Sequence, residues 1–175
     1  MSTLEPLASK YRPKSLDEFI GQQHLVGANG PIRKFLETGN VPSMIFWGPP
    51  GTGKTTLAYI ISLNLYYDFY KMQAVNSGKE ELRKILKIAL NNQKYNRKTM
   101  LFLDEIHRWN KAQQDTLLPY VEKGVITLIG ATTENPSFTI ISPLLSRTKV
   151  FVFNQHTKED IATLLKRVIK KEYPK

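Results

Sequence analysis

Residues 47–55 read WGPPGTGKT, a stretch with almost no bulky side chain after its tryptophan. The run before it, residues 43–47 (SMIFW), is short and apolar and lies between a proline and a glycine, as is typical of a buried strand. The run after it, residues 55–65, places apolar residues at mostly helical spacing. The stretch is therefore predicted to be a turn that joins a buried strand to a helix.

The spacing within this turn matches the phosphate-loop pattern GxxxxGK[ST]. Its glycines let backbone N–H groups converge on phosphate oxygens, and the helix that follows adds its own free N–H groups. Lys54 would contact the β- and γ-phosphates, and the Thr55 hydroxyl would bind Mg²⁺. A turn that matches the pattern by chance is the alternative. The predicted nucleotide contacts are Gly48, Pro49, Pro50, Gly51, Thr52, Gly53, Lys54, Thr55 and Thr56.

Two carboxylates, Asp104 and Glu105, come at the end of the nearly continuous apolar run 99–104. Such a run is typical of a strand buried on both faces, and parallel sheets bind ligands at the carboxyl ends of their strands. Asp104 would hold Mg²⁺ opposite the Thr55 hydroxyl, while Glu105 would orient and polarise an attacking water. An acidic turn without chemistry is the alternative, and the phosphate loop upstream argues against it.

Apolar runs and helical patterns alternate along the chain, which favours an α/β domain with a mainly parallel sheet covered on both sides. The predicted strands cover residues 43–47, 71–75, 99–104, 125–131 and 149–153. The predicted helices cover residues 55–65, the segment after Gly78 with Leu82, Ile85, Leu86 and Ala89 on one face, and residues 109–121.

The last segment combines a near capping box, Thr157 with Asp160, with an unbroken apolar stripe. The stripe consists of Ile161, Leu164, Leu165, Val168 and Ile169. It either packs on the preceding core or is the first helix of a truncated helical domain, and the second interpretation is favoured. Residues 1–155 are accordingly predicted to form the core domain, and residues 156–175 the start of a second one.

The composition indicates one globular domain with a polyanion partner. The chain has 175 residues, a formal net charge of +10 and no cysteine, which excludes disulfides and thiolate metal sites. No signal peptide or membrane span is recognisable, so a soluble intracellular protein without membrane contact is expected. A lysine-rich solvated surface is the alternative to nucleic-acid binding. Two basic clusters are Lys94, Arg97, Lys98 and Lys166, Arg167, Lys170, Lys171.

Two further residues stay undecided on spacing alone. Thr132 follows the strand VITLIGA, where a hydroxyl could reach a γ-phosphate or the attacking water, but short polar residues at strand ends are also common turn formers. Arg147, in LLSRT, follows an apolar run and precedes the last strand, and an ordinary surface arginine is equally compatible with that position.

Four segments together resemble the AAA+ ATPases and, within them, the clamp-loader branch. They are GPPGTGKTTLA, LFLDEIHRWNKAQQDTLLPYVE, LIGATTENPSF and LLSR. The match is most similar to the replication-associated recombination protein A family, also called maintenance-of-genome-stability or Werner-helicase-interacting ATPases. It covers the chain from about residue 7 to residue 153, and its longer motifs are far more specific than the phosphate loop alone.

This resemblance implies a P-loop NTPase αβα sandwich with five strands in the order 5-1-4-3-2, followed by a helical lid and an oligomerisation region. It implies that Thr132 contacts the γ-phosphate region, and that Arg147 is an arginine finger acting in trans on a neighbouring subunit. The segment YRPKSLDEFIGQ is similar to the family's adenine-side segment. The residues it would place near the base are Arg12, Pro13, Ile20 and Gly21.

The resulting hypothesis is an ATP hydrolase that uses ATP and Mg²⁺ and is stimulated by DNA structure, acting in replication-fork maintenance, recombination and repair. Its partners would be ATP and ADP, DNA with single-strand/duplex junctions, a single-stranded-DNA-binding protein and further copies of itself. It would act in the bacterial cytoplasm at the nucleoid, or in a eukaryotic nucleus. The 175 residues alone are expected to be weakly active and monomeric. A clamp-loader subunit and a nucleotide-gated assembly scaffold are the alternatives.

Overall fold

Five short strands form one parallel sheet in the computed structural model, which describes residues 10–173. The sheet order is β2-β3-β4-β1-β5, so the predicted order 5-1-4-3-2 is confirmed. Every strand pair is parallel, as βα crossovers require. The strands are β1 (Met44–Trp47), β2 (Asp68–Gln73), β3 (Thr99–Asp104), β4 (Thr127–Thr132) and β5 (Lys149–Val152).

Helices connect the strands and cover both faces of the sheet. The helices are α1 (Gln23–Val26), α2 (Pro31–Thr38), α3 (Lys54–Asn64), α4 (Lys79–Lys94), α5 (Lys111–Asp115), α6 (Leu118–Glu122), α7 (Pro136–Thr139), α8 (Ser142–Leu145) and α9 (Lys158–Glu172). A short 3-10 turn, Ile106–Arg108, follows β3 directly.

The hydrophobic core consists of two clusters, one on each side of the sheet. Met100 and Phe102 of β3 belong to the cluster that includes the α3 residues Leu57, Ile60 and Ile61. Leu101 and Leu103 belong to the cluster that includes the α4 residues Leu82, Ile85, Leu86 and Ala89. Successive side chains of a strand point to opposite faces, which explains why β3 had to be apolar throughout. The predicted αβα sandwich is confirmed.

One predicted helix, residues 109–121, is wrong as a single element. Asn110 and Gln113 form a capping box that begins α5, and this helix ends at Asp115. Pro119 lies in the first turn of α6, where the missing N–H needs no acceptor. A continuous helix would have required a bond from residue 119 to the carbonyl of Asp115, which proline cannot donate.

Some strand limits also differ from the predictions. The second strand was predicted at residues 71–75 but β2 runs from Asp68 to Gln73, in register with β3 from Asp68 opposite Thr99 to Gln73 opposite Asp104. Because β2 is an edge strand with mostly half-buried side chains, its hydrophobic pattern is too weak to mark its ends. β4 begins at Thr127, two residues later than predicted, for a different reason. Val125 and Ile126 are buried, but their backbone N–H groups donate to the carbonyl of Tyr120 in α6.

The capping box at the start of α9 is confirmed, since Thr157 and Asp160 exchange both side-chain to backbone hydrogen bonds. Bonding to the backbone N–H of Thr157 holds the pKa of the Asp160 carboxyl below its usual value. The apolar stripe on α9 is not buried, and the side chains of Ile161, Leu164, Leu165 and Ile169 are about half exposed. The division of the chain into domains at residue 155 stays a prediction.

Candidate nucleotide site

A cleft of about 820 Å³ lies at the carboxyl edge of the sheet. Most residues predicted to bind a nucleotide line it, although they come from five separate parts of the chain. They are Arg12, Pro13, Ile20, Pro50, Gly51, Thr52, Gly53, Lys54, Thr55, Thr56, Asp104, Glu105 and Thr132. Gly48, Pro49, Gly21 and Arg147 are not part of its wall.

Two glycines of the phosphate loop are required for packing, in addition to any role in phosphate binding, because neighbouring segments leave no space for a side chain. A Cβ on Gly48 would lie 2.3 Å from the carbonyl oxygen of Phe153, the residue that follows β5. Gly53 has φ of +94°, and a Cβ there would lie 2.7 Å from the ring of Phe19. The loop is therefore clamped between β5 and the N-terminal segment, and only glycine fits either contact.

Lys54, the first residue of α3, bends back over the loop. Its Nζ donates to the carbonyl oxygens of Gly48 at 2.7 Å and Pro49 at 2.6 Å. Burial lowers the pKa of the ammonium, and the nearby Asp104 carboxylate partly opposes that shift. A partly desolvated ammonium held by neutral carbonyls is well suited to exchange them for phosphate oxygens.

Asp104 and Glu105 reach the cleft from the end of β3. The backbone N–H of Glu105 donates to Asp104 Oδ1 at 3.1 Å, and Glu105 itself has φ of 55°. A non-glycine residue in the left-handed region costs about 1 kcal/mol or more, and such strain is concentrated at functional sites. This turn lets two consecutive carboxylates line the same cavity.

The oxygen ligands around the phosphate loop fit a magnesium ion. The Asp104 carboxylate and the Thr55 hydroxyl line the same cleft, and Mg²⁺ is typically held by one or two protein oxygens together with substrate phosphates and water. Within residues 10–173, no group of three or more His, Asp or Glu side chains could hold a metal by itself. The donor set therefore suits a metal that arrives with a nucleotide.

Thr132 ends β4 beside these carboxylates and is only 1% exposed. Its Oγ1 accepts from the backbone N–H of Glu134 at 3.0 Å and lies 2.9 Å from His107 Nδ1. The sequence analysis identified Thr132 as a candidate site residue but assigned no role to His107. The sequence signals for His107 were its place two residues after the Asp104-Glu105 pair and its inclusion in the motif LFLDEIHRWNKAQQDTLLPYVE.

The N-terminal segment is attached to the end of β5 by Gln22. Its side chain donates to the carbonyl of Asn154 at 2.6 Å and accepts from the N–H of the same residue at 2.9 Å. This attachment places Arg12, Pro13 and Ile20 on the cleft wall. Gly21 packs instead against His156, because a Cβ on it would lie 2.8 Å from the imidazole Nδ1.

Further cleft residues lie in segments that the sequence analysis did not connect with nucleotide binding. Gln73, Val75 and Asn76 approach from the end of β2, and Thr133 follows Thr132. His156 and the α9 residues Leu164, Arg167 and Val168 also line the cleft, as do Tyr11 and Phe19 of the N-terminal segment. Arg167 also donates to the backbone carbonyl of Glu18, while Glu172 accepts from both Lys10, at 2.7 Å, and Tyr11.

Arg147 lies outside the cleft, just after α8. Its guanidinium pairs with Glu122 at 2.6 Å and donates to the carbonyl of Pro143 at 2.8 Å. The arginine predicted to act in trans is thus held on the surface of its own chain, at the end of α6.

Comparison with known proteins identifies the class. The model of the ATPase family associated with various cellular activities (AAA) matches residues 44–156. Replication-associated recombination protein A of Haemophilus influenzae and of Escherichia coli K12 are each 49% identical over 164 residues, which is 94% of this chain and 37% of theirs. ATPase WRNIP1 of Dictyostelium discoideum is 47% identical over 94% of this chain and 19% of its own length.

Solved structures agree with the family match. The RuvB Holliday junction branch migration motor of Thermotoga maritima superposes with a TM-score of 0.68 at 32% identity, over 92% of this chain and 53% of that one. This chain therefore spans about two fifths or less of the curated relatives named above and about half of the structural one. With its phosphate loop, its paired carboxylates and this fold, the chain belongs to the AAA family of ATPases.

Proposed function

We propose that this chain is the ATPase core of a DNA-structure-stimulated ATPase that acts in replication-fork maintenance and recombination, and that it hydrolyses ATP at interfaces between copies. The observation that carries the ATPase part is the convergence of Lys54, Asp104, Glu105 and Thr132 on one cleft. The DNA part is supported by the similarity to replication-associated recombination proteins and by surface charge.

Within the cleft, the loop N–H groups and Lys54 would hold the triphosphate. Glu105 would accept a hydrogen bond from the attacking water and orient it toward the γ-phosphorus. Thr55 and Asp104 would hold Mg²⁺, which supplies charge neutralisation for the phosphate oxygens. Thr132, at the neighbouring strand end, would donate its hydroxyl to the terminal phosphate. Arg12, Pro13 and Ile20 would border the base.

The position of Arg147 supports hydrolysis between copies. The guanidinium pairs with Glu122 on the outer surface and does not line its own chain's cleft. An arginine that stabilises the transferring phosphoryl group can raise turnover by about 10³-fold or more. Arg147 would supply that charge to the cleft of an adjacent copy.

A basic strip along α4 and the turn after it supports a nucleic-acid partner. Between residues 82 and 98 the chain carries no acidic residue and six basic ones, Arg83, Lys84, Lys87, Lys94, Arg97 and Lys98, all exposed. The structure adds two exposed aromatic side chains nearby, Tyr95 in the same turn and Tyr66 just before β2, which pairs with β3. A strip of this kind suits phosphate contacts combined with stacking.

ATP turnover measured with and without single-stranded and junction DNA tests this function. Turnover should rise with junction DNA, and DNA affinity should weaken with salt. Lys87→Ala and Lys94→Ala should each reduce the slope of log affinity against log salt by about 0.9. Lys34 on α2 is also exposed, and Lys34→Ala should leave this slope unchanged. Turnover indifferent to every DNA form would exclude the DNA part.

Two alternatives predict different results. A clamp-loader subunit would bind a sliding clamp only with ATP, which a pull-down with ATP and with ADP measures. A nucleotide-gated scaffold would assemble with ATP and never need to hydrolyse it. A cellular location at the nucleoid or in the nucleus, and contact with a single-stranded-DNA-binding protein, follow from the proposed function and are testable by co-localisation.

A further inference from the structure

His107 is buried between the catalytic turn after β3 and the end of β4. Its side chain is 5% exposed. One ring nitrogen, Nδ1, lies 2.9 Å from the Thr132 hydroxyl oxygen, and the other, Nε2, lies 3.8 Å from the carboxylate of Glu134. Both contacts join segments far apart in sequence, and neither belongs to the phosphate loop or the carboxylate pair.

The hydrogen bonds around Thr132 decide which nitrogen carries the proton. Thr132 Oγ1 already accepts the backbone N–H of Glu134, and it has a single proton to donate. A carboxylate beside Nε2 favours an N–H at that nitrogen, which leaves a lone pair on Nδ1. The Thr132 proton is then donated to Nδ1 at 2.9 Å, in preference to the carbonyl of Glu134 at 3.3 Å.

We propose that His107 is a positioning residue that sets the direction of the Thr132 hydroxyl according to the nucleotide bound. In the nucleotide-free chain, His107 Nδ1 accepts a hydrogen bond from the Thr132 hydroxyl, and this bond turns the O–H away from the cleft. When a nucleoside triphosphate binds, Thr132 donates to the terminal phosphate instead. His107 then becomes the donor to Thr132 Oγ1, because one proton leaves Nε2 for solvent and one is taken up at Nδ1, with no net change in charge.

This inference rests on the proposed function, since it requires Thr132 to face the terminal phosphate. It assigns His107 no contact with substrate. Its action through Thr132 implies a measurable change of tautomer that a merely structural histidine would not show.

The first test reads the tautomer directly in the wild-type chain. Long-range nitrogen–hydrogen NMR correlations of the imidazole ring, assigned by their loss in His107→Asn, distinguish the two forms. The nucleotide-free and ADP-bound chains should carry the proton on Nε2, and the chain with Mg²⁺ and a slowly hydrolysed ATP analogue should carry it on Nδ1. The same tautomer with ADP and the analogue, or Nδ1–H in the free chain, would overturn the inference.

The second test compares two amides that replace different ring nitrogens. Asparagine at 107 places a polar atom near the Nδ1 position, whereas glutamine places one near Nε2. The affinity ratio of the ATP analogue to ADP should fall about fivefold in His107→Gln, the loss expected for one hydrogen bond, and stay within about twofold in His107→Asn. Thr132→Val should lower this ratio about fivefold. The double variant with Thr132→Val and His107→Gln should show no larger fall than Thr132→Val alone.

The possible outcomes distinguish failure of the proposed function from failure of the inference about His107. An unchanged ratio in Thr132→Val removes Thr132 from the terminal phosphate, and with it that part of the proposed function and this inference. A ratio lowered by Thr132→Val but unaffected by His107→Gln overturns the inference alone, as does additivity of the two changes. If His107→Gln fails to fold, the tautomer measurement on the wild-type chain still decides.

Discussion

Arg147 and Glu122 form an ion pair outside the nucleotide cleft, with 2.6 Å between guanidinium nitrogen and carboxylate oxygen. The pair joins Arg147, two residues after α8, to Glu122, the last residue of α6. Both side chains are substantially exposed, at 41% and 44%, so water and salt screen their attraction. Pairs of this kind contribute about 0–1 kcal/mol, and Arg147 can therefore leave Glu122 for a phosphate of another copy at little cost.

Replacing Arg147 by alanine should leave ATP affinity within about twofold but remove the dependence of turnover on chain concentration, because the guanidinium would act on a neighbour's nucleotide. A mixture of Arg147→Ala and Glu105→Gln chains should recover part of the activity, since one supplies an intact cleft and the other an intact arginine. Turnover against chain concentration, alone and mixed, measures both effects.

Arg33 offers a matched control for this experiment, because it also forms a surface ion pair, with Asp17 at 2.9 Å. Arg33→Ala should change neither affinity nor the concentration dependence. If Arg147→Ala weakened ATP binding in dilute chain, or if the mixture stayed inactive, action in trans would be contradicted.

Replacing Glu105 by glutamine should reduce turnover by about 10²–10⁴ while nucleotide binding persists. The amide keeps the shape of the side chain but loses the negative charge that orients the water. Single-turnover hydrolysis and nucleotide titration provide the two measurements. A scaffold that only assembles with ATP would assemble and disassemble normally with this substitution, whereas an ATP-driven enzyme should accumulate in its ATP-bound state.

Replacing Lys54 by methionine should weaken ATP binding without lowering the thermal stability of the chain. Charge-assisted hydrogen bonds contribute about 1.5–3 kcal/mol each, so loss of the ammonium should weaken ATP binding at least about tenfold. The thermal midpoint should not fall, because the aliphatic stem is kept and a partly desolvated charge is removed. Calorimetric titration and thermal unfolding test the pair of outcomes, and a large loss of stability would contradict this account of Lys54.

The lowered pKa of Lys54 also predicts a pH dependence. Below 10.5 and above the folded-state pKa, the unfolded chain keeps a proton that the folded chain has lost, so this lysine makes the free energy of unfolding rise with pH. Nucleotide affinity should fall over the same range as the ammonium is lost. Urea unfolding and nucleotide titration between about pH 8 and 10.5 should show both trends, reduced in Lys54→Met and retained in Lys34→Met.

Replacing Gly53 by alanine should destabilise the chain by about 2–4 kcal/mol. The left-handed backbone accounts for about 1–2 kcal/mol, and the contact of the new Cβ with the Phe19 ring, at 2.7 Å, adds a similar overpacking cost. Gly39→Ala is the control, because its φ is also positive, +68°, but no atom lies within 4 Å of the new Cβ. Equal losses in the two variants, measured by urea unfolding, would show that Phe19 does not clamp the loop.

The sequence predicted those features that depend on residues close together along the chain. The phosphate loop, the carboxylate pair after β3, the buried face of α4 and the capping box of α9 all follow from spacings of a few residues. The sheet order was predicted by resemblance to a family. The predictions failed where the hydrophobic pattern was weak, as at the limits of the edge strand β2. They also failed where a proline divides one predicted helix into two, as at Pro119.

The tertiary structure alone decided which distant residues meet. His107 contacts Thr132 across 25 positions, Arg147 pairs with Glu122, and the backbone after β5 leaves room only for glycine at position 48. The first and third of these contacts follow from the register of the parallel strands, which brings their carboxyl ends to one edge regardless of separation along the chain. Arg147 and Glu122 instead meet before the amino ends of β5 and β4. Local spacing can place a functional group at the end of a strand, but only the assembled sheet determines which other groups lie beside it.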